Sequence, residues 1–192
     1  MYESFFDYLK KYSSEPLSEK EQLLLKQAMI ETKLRKRQFL LQAGDLCKYY
    51  AYIVKGAMRM YMVDDKGAEH FVRLGVEGWW MGDRESSAMG KPSRYHIDAW
   101  ENTELLLINR ESINELVKTV PAFCEMMRLL DERNNIANNR RLASSISDSV
   151  QKRYEEFISL YPELQNRFPQ HTIASYIGAN KDTLSRVKGK RF

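Results

Sequence analysis

The stretch from His171 to Val187, HTIASYIGANKDTLSRV, constrains what this chain can fold into more than any other. Ile173, Ala174 and Ile177 recur at helical spacing, so a first short helix has one apolar face. Gly178 then supplies the backbone freedom that a tight interhelical turn needs. Asn180 can cap a second helix through its side-chain oxygen; beyond it Leu184 and Val187 share one face, while Lys181, Asp182, Ser185 and Arg186 fall elsewhere. The expectation is two short helices joined by a glycine turn, with one side anchored in a core and one polar side free to meet a partner.

Helix pairs of this kind also occur in all-α domains that never touch nucleic acid, and the pattern alone does not separate the two cases. Charge does. From residue 168 to 192 there are five cations, Lys181, Arg186, Lys188, Lys190 and Arg191, against Asp182 alone, a net +4 that equals the net charge of the whole chain. Residues 1–167 are therefore formally neutral, and the excess able to attract phosphate lies on and just beyond the second helix.

A chain of 192 residues, 43% of them hydrophobic, can bury one sizeable core and a smaller satellite. It has no apolar run of about 18 residues, and its opening, MYESFFDYLKKYSSEP, lacks the basic-then-apolar order of a secretory signal. A cytoplasmic protein without a membrane partner is expected. Cys47 and Cys124 stand far apart with no neighbouring cysteine, so neither a CxxC metal site nor an iron–sulfur cluster has local support, and the three histidines have no diagnostic context. No catalytic constellation and no phosphate-cradling glycine loop is apparent, so a non-enzyme is expected, with no metal and no assigned cofactor.

Along the chain, residues 2–12 and 18–31 read as helices, the second opening with a capping box from Ser18 to Glu21. From Lys33 the texture becomes β-rich. The DDKG at residues 64–67 sits between MRMYMV and EHFVRL, which predicts a hairpin. A glycine-punctuated stretch follows, and the LLLI run near residue 105 predicts a buried strand. After Arg110 come a short helix and then a long one opened by Pro121. Met127, Leu130, Asn134, Ala137, Arg141 and Ser144 follow a 3,4 spacing along it. That spacing fits either a dimer seam or a helix lying on its own domain. Residues 147–161 predict a further amphipathic helix, and Pro162 and Pro169 bracket the run that leads from it into the two-helix unit.

Two blocks together resemble the bacterial Crp/Fnr regulators. The first is Gly44-Asp45, Tyr52-Ile53-Val54-Lys55-Gly56-Ala57-Met58-Arg59, Asp65-Lys66-Gly67, and Gly75 through Gly82 to Ala99; the second is Ile173-Ala174 to Arg186. The resemblance implies an α+β fold: an N-terminal double-stranded β-helix (β-roll) flanked by helices over residues 1–120, a dimerisation helix at 121–147, and a small helix-turn-helix domain at 148–192. It also implies a homodimeric transcription regulator that reads double-stranded DNA as an inverted repeat, with RNA polymerase as a further partner. The recognition helix would lie at 180–188, Lys181, Asp182 and Arg186 facing base edges, Ser185 near the backbone, and Thr172, Lys188, Lys190 and Arg191 on phosphate. Few residues follow the reader before Phe192, so the basic tail is expected to grip backbone in place of the family's β-wing. The alternative is a ligand-binding or protein-docking β-roll with a vestigial DNA-binding domain.

At the family's cyclic-nucleotide pocket the sequence departs from the pattern. Gly82-Asp83 stands where a Gly-Glu pair would hold the ribose, and the phosphate-arginine position falls on Ser93, with Arg94 one residue late. In an extended segment a one-residue slip turns a side chain to the other face. Gly82, Asp83, Ser93 and Arg94 are the candidate ligand residues, and the effector is expected to be an unidentified small molecule other than cyclic AMP.

Overall fold

In the computed structural model the described residues are 1–13 and 15–189, Lys188 by its backbone only. The N-terminal helices are α1 (Tyr2–Leu9), continued by a 3-10 turn, and α2 (Glu19–Ala28). Ser18 and Glu21 form the expected capping box, Ser18 Oγ accepting from the Glu21 amide and the Glu21 carboxylate accepting from the Ser18 amide. The second helix is shorter than expected. It stops at Ala28, Met29 turns extended, and Ile30 and Glu31 enter strand β1 (Ile30–Leu34), where Leu107 and Leu106 of strand β8 pair with them. Cross-strand pairing overrides the helical propensity of that segment.

The strands β2 (Phe39–Leu41), β3 (Tyr49–Lys55), β4 (Met58–Val63), β5 (Glu69–Gly75), β6 (Trp80–Met81), β7 (His96–Ala99) and β8 (Thr103–Asn109) complete two antiparallel four-stranded sheets, ordered β1-β8-β3-β6 and β2-β7-β4-β5. The DDKG segment closes the β4–β5 hairpin as its sequence predicts, with Gly67 at φ 80° and the Asp64 carboxylate accepting from the Lys66 and Ala68 amides. The glycine-punctuated stretch holds a helix that its sequence did not signal, α3 (Arg84–Met89). It is capped by Asp83 and stopped by Gly90 in the left-handed region, and six residues are too few to show a period.

Both sheets are covered on both faces, which is why β8 reads as an unbroken apolar run. Leu105 and Leu107 face inward to meet Ile53, Met58, Met60, Met81 and Ile97 between the sheets. Leu106 and Ile108 face outward, with Tyr52, into a second layer made by Phe5, Leu9, Leu25 and the start of the long helix. Helix α4 (Arg110–Thr119) leads to that long helix, α5 (Pro121–Ser147). The outer face of the other sheet contributes Tyr61 and Phe71 to a third cluster, closed by the C-terminal helices α6 (Val150–Leu160), α7 (Pro162–Arg167), α8 (Gln170–Tyr176) and α9 (Lys181–Gly189).

At the root of that third cluster lies a cross-strand pair. Arg59 of β4 and Asp98 of β7 are register partners, and the guanidinium donates from Nε and Nη2 to the two carboxylate oxygens at 2.7 and 2.8 Å. Its plane lies 4.8 Å from the Tyr61 ring centroid, 5.4 Å from Phe71 and 5.2 Å from Trp100. Asp98 is 2% exposed, so removing Arg59 leaves a buried carboxylate alone, and removing Asp98 leaves the guanidinium only its outer partner, the half-open Glu69 carboxylate at 3.1 Å. Asp98→Ala is expected to cost about 3–5 kcal/mol in urea unfolding, and the paired replacement Arg59→Met with Asp98→Leu to recover more than half of it.

Candidate nucleic-acid interface and ligand pocket

Helices α8 and α9 are joined as their sequence predicts. Gly178 takes φ 70°, and Asn180 Oδ1 accepts from the Thr183 amide at 2.7 Å. Ile173, Ala174, Ile177 and Leu184 are buried against α6, so one side of each helix is fixed in the third cluster. Lys181, Asp182, Ser185 and Arg186 are all exposed on the opposite side of α9. Arg186 makes two contacts at 3.4 Å, with the Asp182 carbonyl and Thr183 Oγ1. Those are weak enough to be exchanged for a ligand.

Thr172 is not on this surface. Its side chain is fully buried and Oγ1 has no hydrogen-bond partner, because the first turn of α8 packs inward. That burial removes it from contact with phosphate. Lys190 and Arg191 lie outside the described residues, as does the side chain of Lys188.

The helix pair is docked on the roll. The Phe71 amide on edge strand β5 donates to Ser175 Oγ, which donates in turn to the Glu69 carbonyl. From α7, Arg167 pairs with Glu77 at 3.1 Å and with Glu101, while its carbonyl accepts from Trp100 Nε1 at 3.0 Å. Burial pushes the Glu77 carboxyl up, but hydrogen bonds from Arg167 and from the Gly56 amide, at 2.7 Å, outweigh it and hold the group below the usual carboxylate range.

The four candidate ligand residues of the roll come together in part. Asp83 Oδ1 accepts from the Glu85 and Ser86 amides, and Oδ2 accepts from Ser93 Oγ at 2.7 Å, so both residues are buried and spend their polar atoms on each other and on α3. A Cβ on Gly82 would come within 2.5 Å of the Tyr50 ring. Arg94 is outside this group: it is exposed and lies over the Tyr95 ring at 5.1 Å.

On α5 the spaced residues Met127, Leu130, Asn134, Ala137, Arg141 and Ser144 turn toward the chain itself. Met127 and Leu130 pack on the N-terminal layer, Arg141 donates to the Val72 carbonyl at 2.7 Å, and Ser144 reaches Glu156 of α6. The opposite side of the helix exposes Leu142 (61%) and Ile146 (79%), beside Asn135 and Asn139.

Residues 31–120 match the family of the cyclic nucleotide-binding domain. No curated protein matches the chain. Among solved structures it is similar to FixK2 from Bradyrhizobium japonicum (16% identity, 84% of this chain and 83% of that one, TM-score 0.68). It is also similar to the c-di-GMP-responsive global regulator CLP of Xanthomonas campestris (13%, 91% of each chain, TM-score 0.71). A third similar structure is a transcriptional regulator from Eubacterium rectale assigned to the Crp/Fnr family (16%, 91% and 83%, TM-score 0.65). At these identities the likeness is one of fold.

The Arg167 bracket sets a pH dependence. Glu77 titrates lower in the folded chain than in the unfolded one, so its contribution is present above about pH 4.3 and is lost as pH falls through the folded value. The pair is partly exposed, and screening limits it to about 1 kcal/mol. Glu77→Gln is expected to lower the Tm at neutral pH by about 2–4 °C, with the gap to the unaltered protein closing toward about pH 3 in thermal melts.

Proposed function

We propose that the chain is a homodimeric, DNA-binding transcription regulator of the Crp/Fnr type, with a sensor over residues 1–120, a dimer helix at 121–147 and a reader at 148–192. The observation that carries this reading is the exposed set Lys181, Asp182, Ser185 and Arg186 on one side of a helix whose other side is anchored by Leu184. An arginine can hold a guanine by two bonds and an aspartate can accept from cytosine, so the set has the chemistry of base reading. The +4 over residues 168–192, including Lys188, Lys190 and Arg191, supplies the attraction to phosphate. The fold likeness to bacterial regulators supports the same reading. The dimer contact is assigned to the Leu142 and Ile146 side of α5, since its other side is used within the chain.

Selection from a random duplex pool is expected to return an inverted repeat with half-sites about one helical turn apart, bound with a steep loss of affinity in salt. Arg186→Ala should cost about 1–3 kcal/mol on the selected site and relax one position. Thr172→Val, which alters a buried hydroxyl, should leave DNA affinity unchanged. A pool without enrichment, or affinity indifferent to salt, would falsify the reading.

The effector is not cyclic AMP. A cyclic phosphate leaving water needs a well-aimed cation, and here Ser93 is bonded to Asp83 while Arg94 stacks on Tyr95 at the surface. Calorimetry with millimolar cyclic AMP should show no saturable heat; micromolar binding abolished by Arg94→Ala would overturn this.

A further inference from the structure

A cleft of about 520 Å³ opens where strand β5, helix α5 and the C-terminal helices meet, away from Asp83 and Ser93. That volume suits a small organic molecule. Its apolar lining comes from Phe71, Phe157, Leu160, Tyr161 and Ile177. Its charge is one-sided: Arg133, Arg140, Arg141 and Arg153 line it, with Glu156 as the single carboxylate among the described residues.

The arginines have donors to spare. Arg153 Nε is buried and makes no hydrogen bond. Arg140 stands 3.8 Å from Glu156, beyond hydrogen-bond range. Arg141 gives one Nη to the Val72 carbonyl and lays its plane 4.9 Å from the Tyr176 centroid. A buried guanidinium donor left unmade is costly, and several cations facing one carboxylate leave a positive field in a half-enclosed space. Burial above all holds the guanidinium of neighbouring Arg73 below its ordinary range; Tyr176 opposes that shift, and the charges of Arg84 and Arg141 add to it.

We infer that this cleft binds a small organic anion, its charged head taken by Arg153 and Arg140 and its flat apolar body laid against Phe71, Phe157 and Tyr161. Planar guanidinium forks match carboxylate and phosphate heads, and an aromatic wall takes a flat body. The occupant would touch the sheet, the long helix and the helix pair at once. The inference rests on the cleft alone and stands whether or not the chain binds DNA.

The test titrates the full chain by calorimetry with two probes of nearly equal shape, 2-naphthoate and its neutral counterpart 2-naphthamide. The anion is expected to bind at least about tenfold tighter. Arg153→Met should bring the two probes within about twofold of each other, while Arg128→Gln, on the outer side of α5, should change nothing. Arg140→Gln, at an exposed position, keeps the test open should Arg153→Met fail to fold, and is expected to reduce the preference about threefold. A 2-naphthyl phosphate arm assigns the head group by whichever anion binds tighter. Equal affinity for acid and amide, no saturable binding of either, or a preference unchanged in the arginine variants would each overturn the proposal.

Discussion

The bidentate pair between Arg59 and Asp98 is the constraint on which the C-terminal half of the molecule depends. A charged residue on the outer face of a sheet is ordinarily solvated, but here the C-terminal helices lie over that face, and the charge is held by its buried cross-strand partner, with Glu69 as a second carboxylate toward the rim. The guanidinium in turn orders the three rings beneath it, Tyr61, Phe71 and Trp100. Each of these carries the contact outward: Trp100 donates to the end of α7, and Phe71 joins the cluster that receives α8. A polar pair, rather than a purely apolar patch, fixes where the helix pair sits.

Much of the architecture was legible one residue at a time, because the signals were local. The DDKG hairpin, the Ser18 capping box, the Pro121 helix start and the Gly178 turn each depend on side chains within four positions of one another. What escaped depends on distant partners. Ile30 and Glu31 look helical until β8 is placed beside them. The spacing on α5 marked a covered face correctly, yet periodicity cannot say what covers it, and β5 and α6 of the same chain do. Thr172 followed the apolar side of its helix inward although its hydroxyl suggested the surface. The arginine cleft had no signal at all, since its cations come from two helices and its floor from a strand some seventy residues earlier.

The two C-terminal helices thus serve opposite surfaces. The first is committed to the roll through Ser175 and the apolar residues beneath it, and the second presents its charged side to solvent. Any undocking of the helix pair therefore has to break the contacts made by α7 and α8, where Arg167 and Ser175 grip the roll, and not those at the exposed face of α9.

Strand β5 is the last strand of its sheet, and Ser175 meets its Phe71 amide. A bare sheet edge is a template for pairing with another chain. Helix α8 is therefore also a guard against aggregation, and undocking it would uncover the Phe71 edge along with the apolar cluster beneath. Any loosening of the helix pair is thereby coupled to solubility: sequences that weaken the docking must blunt β5 by other means, or keep the undocked interval short.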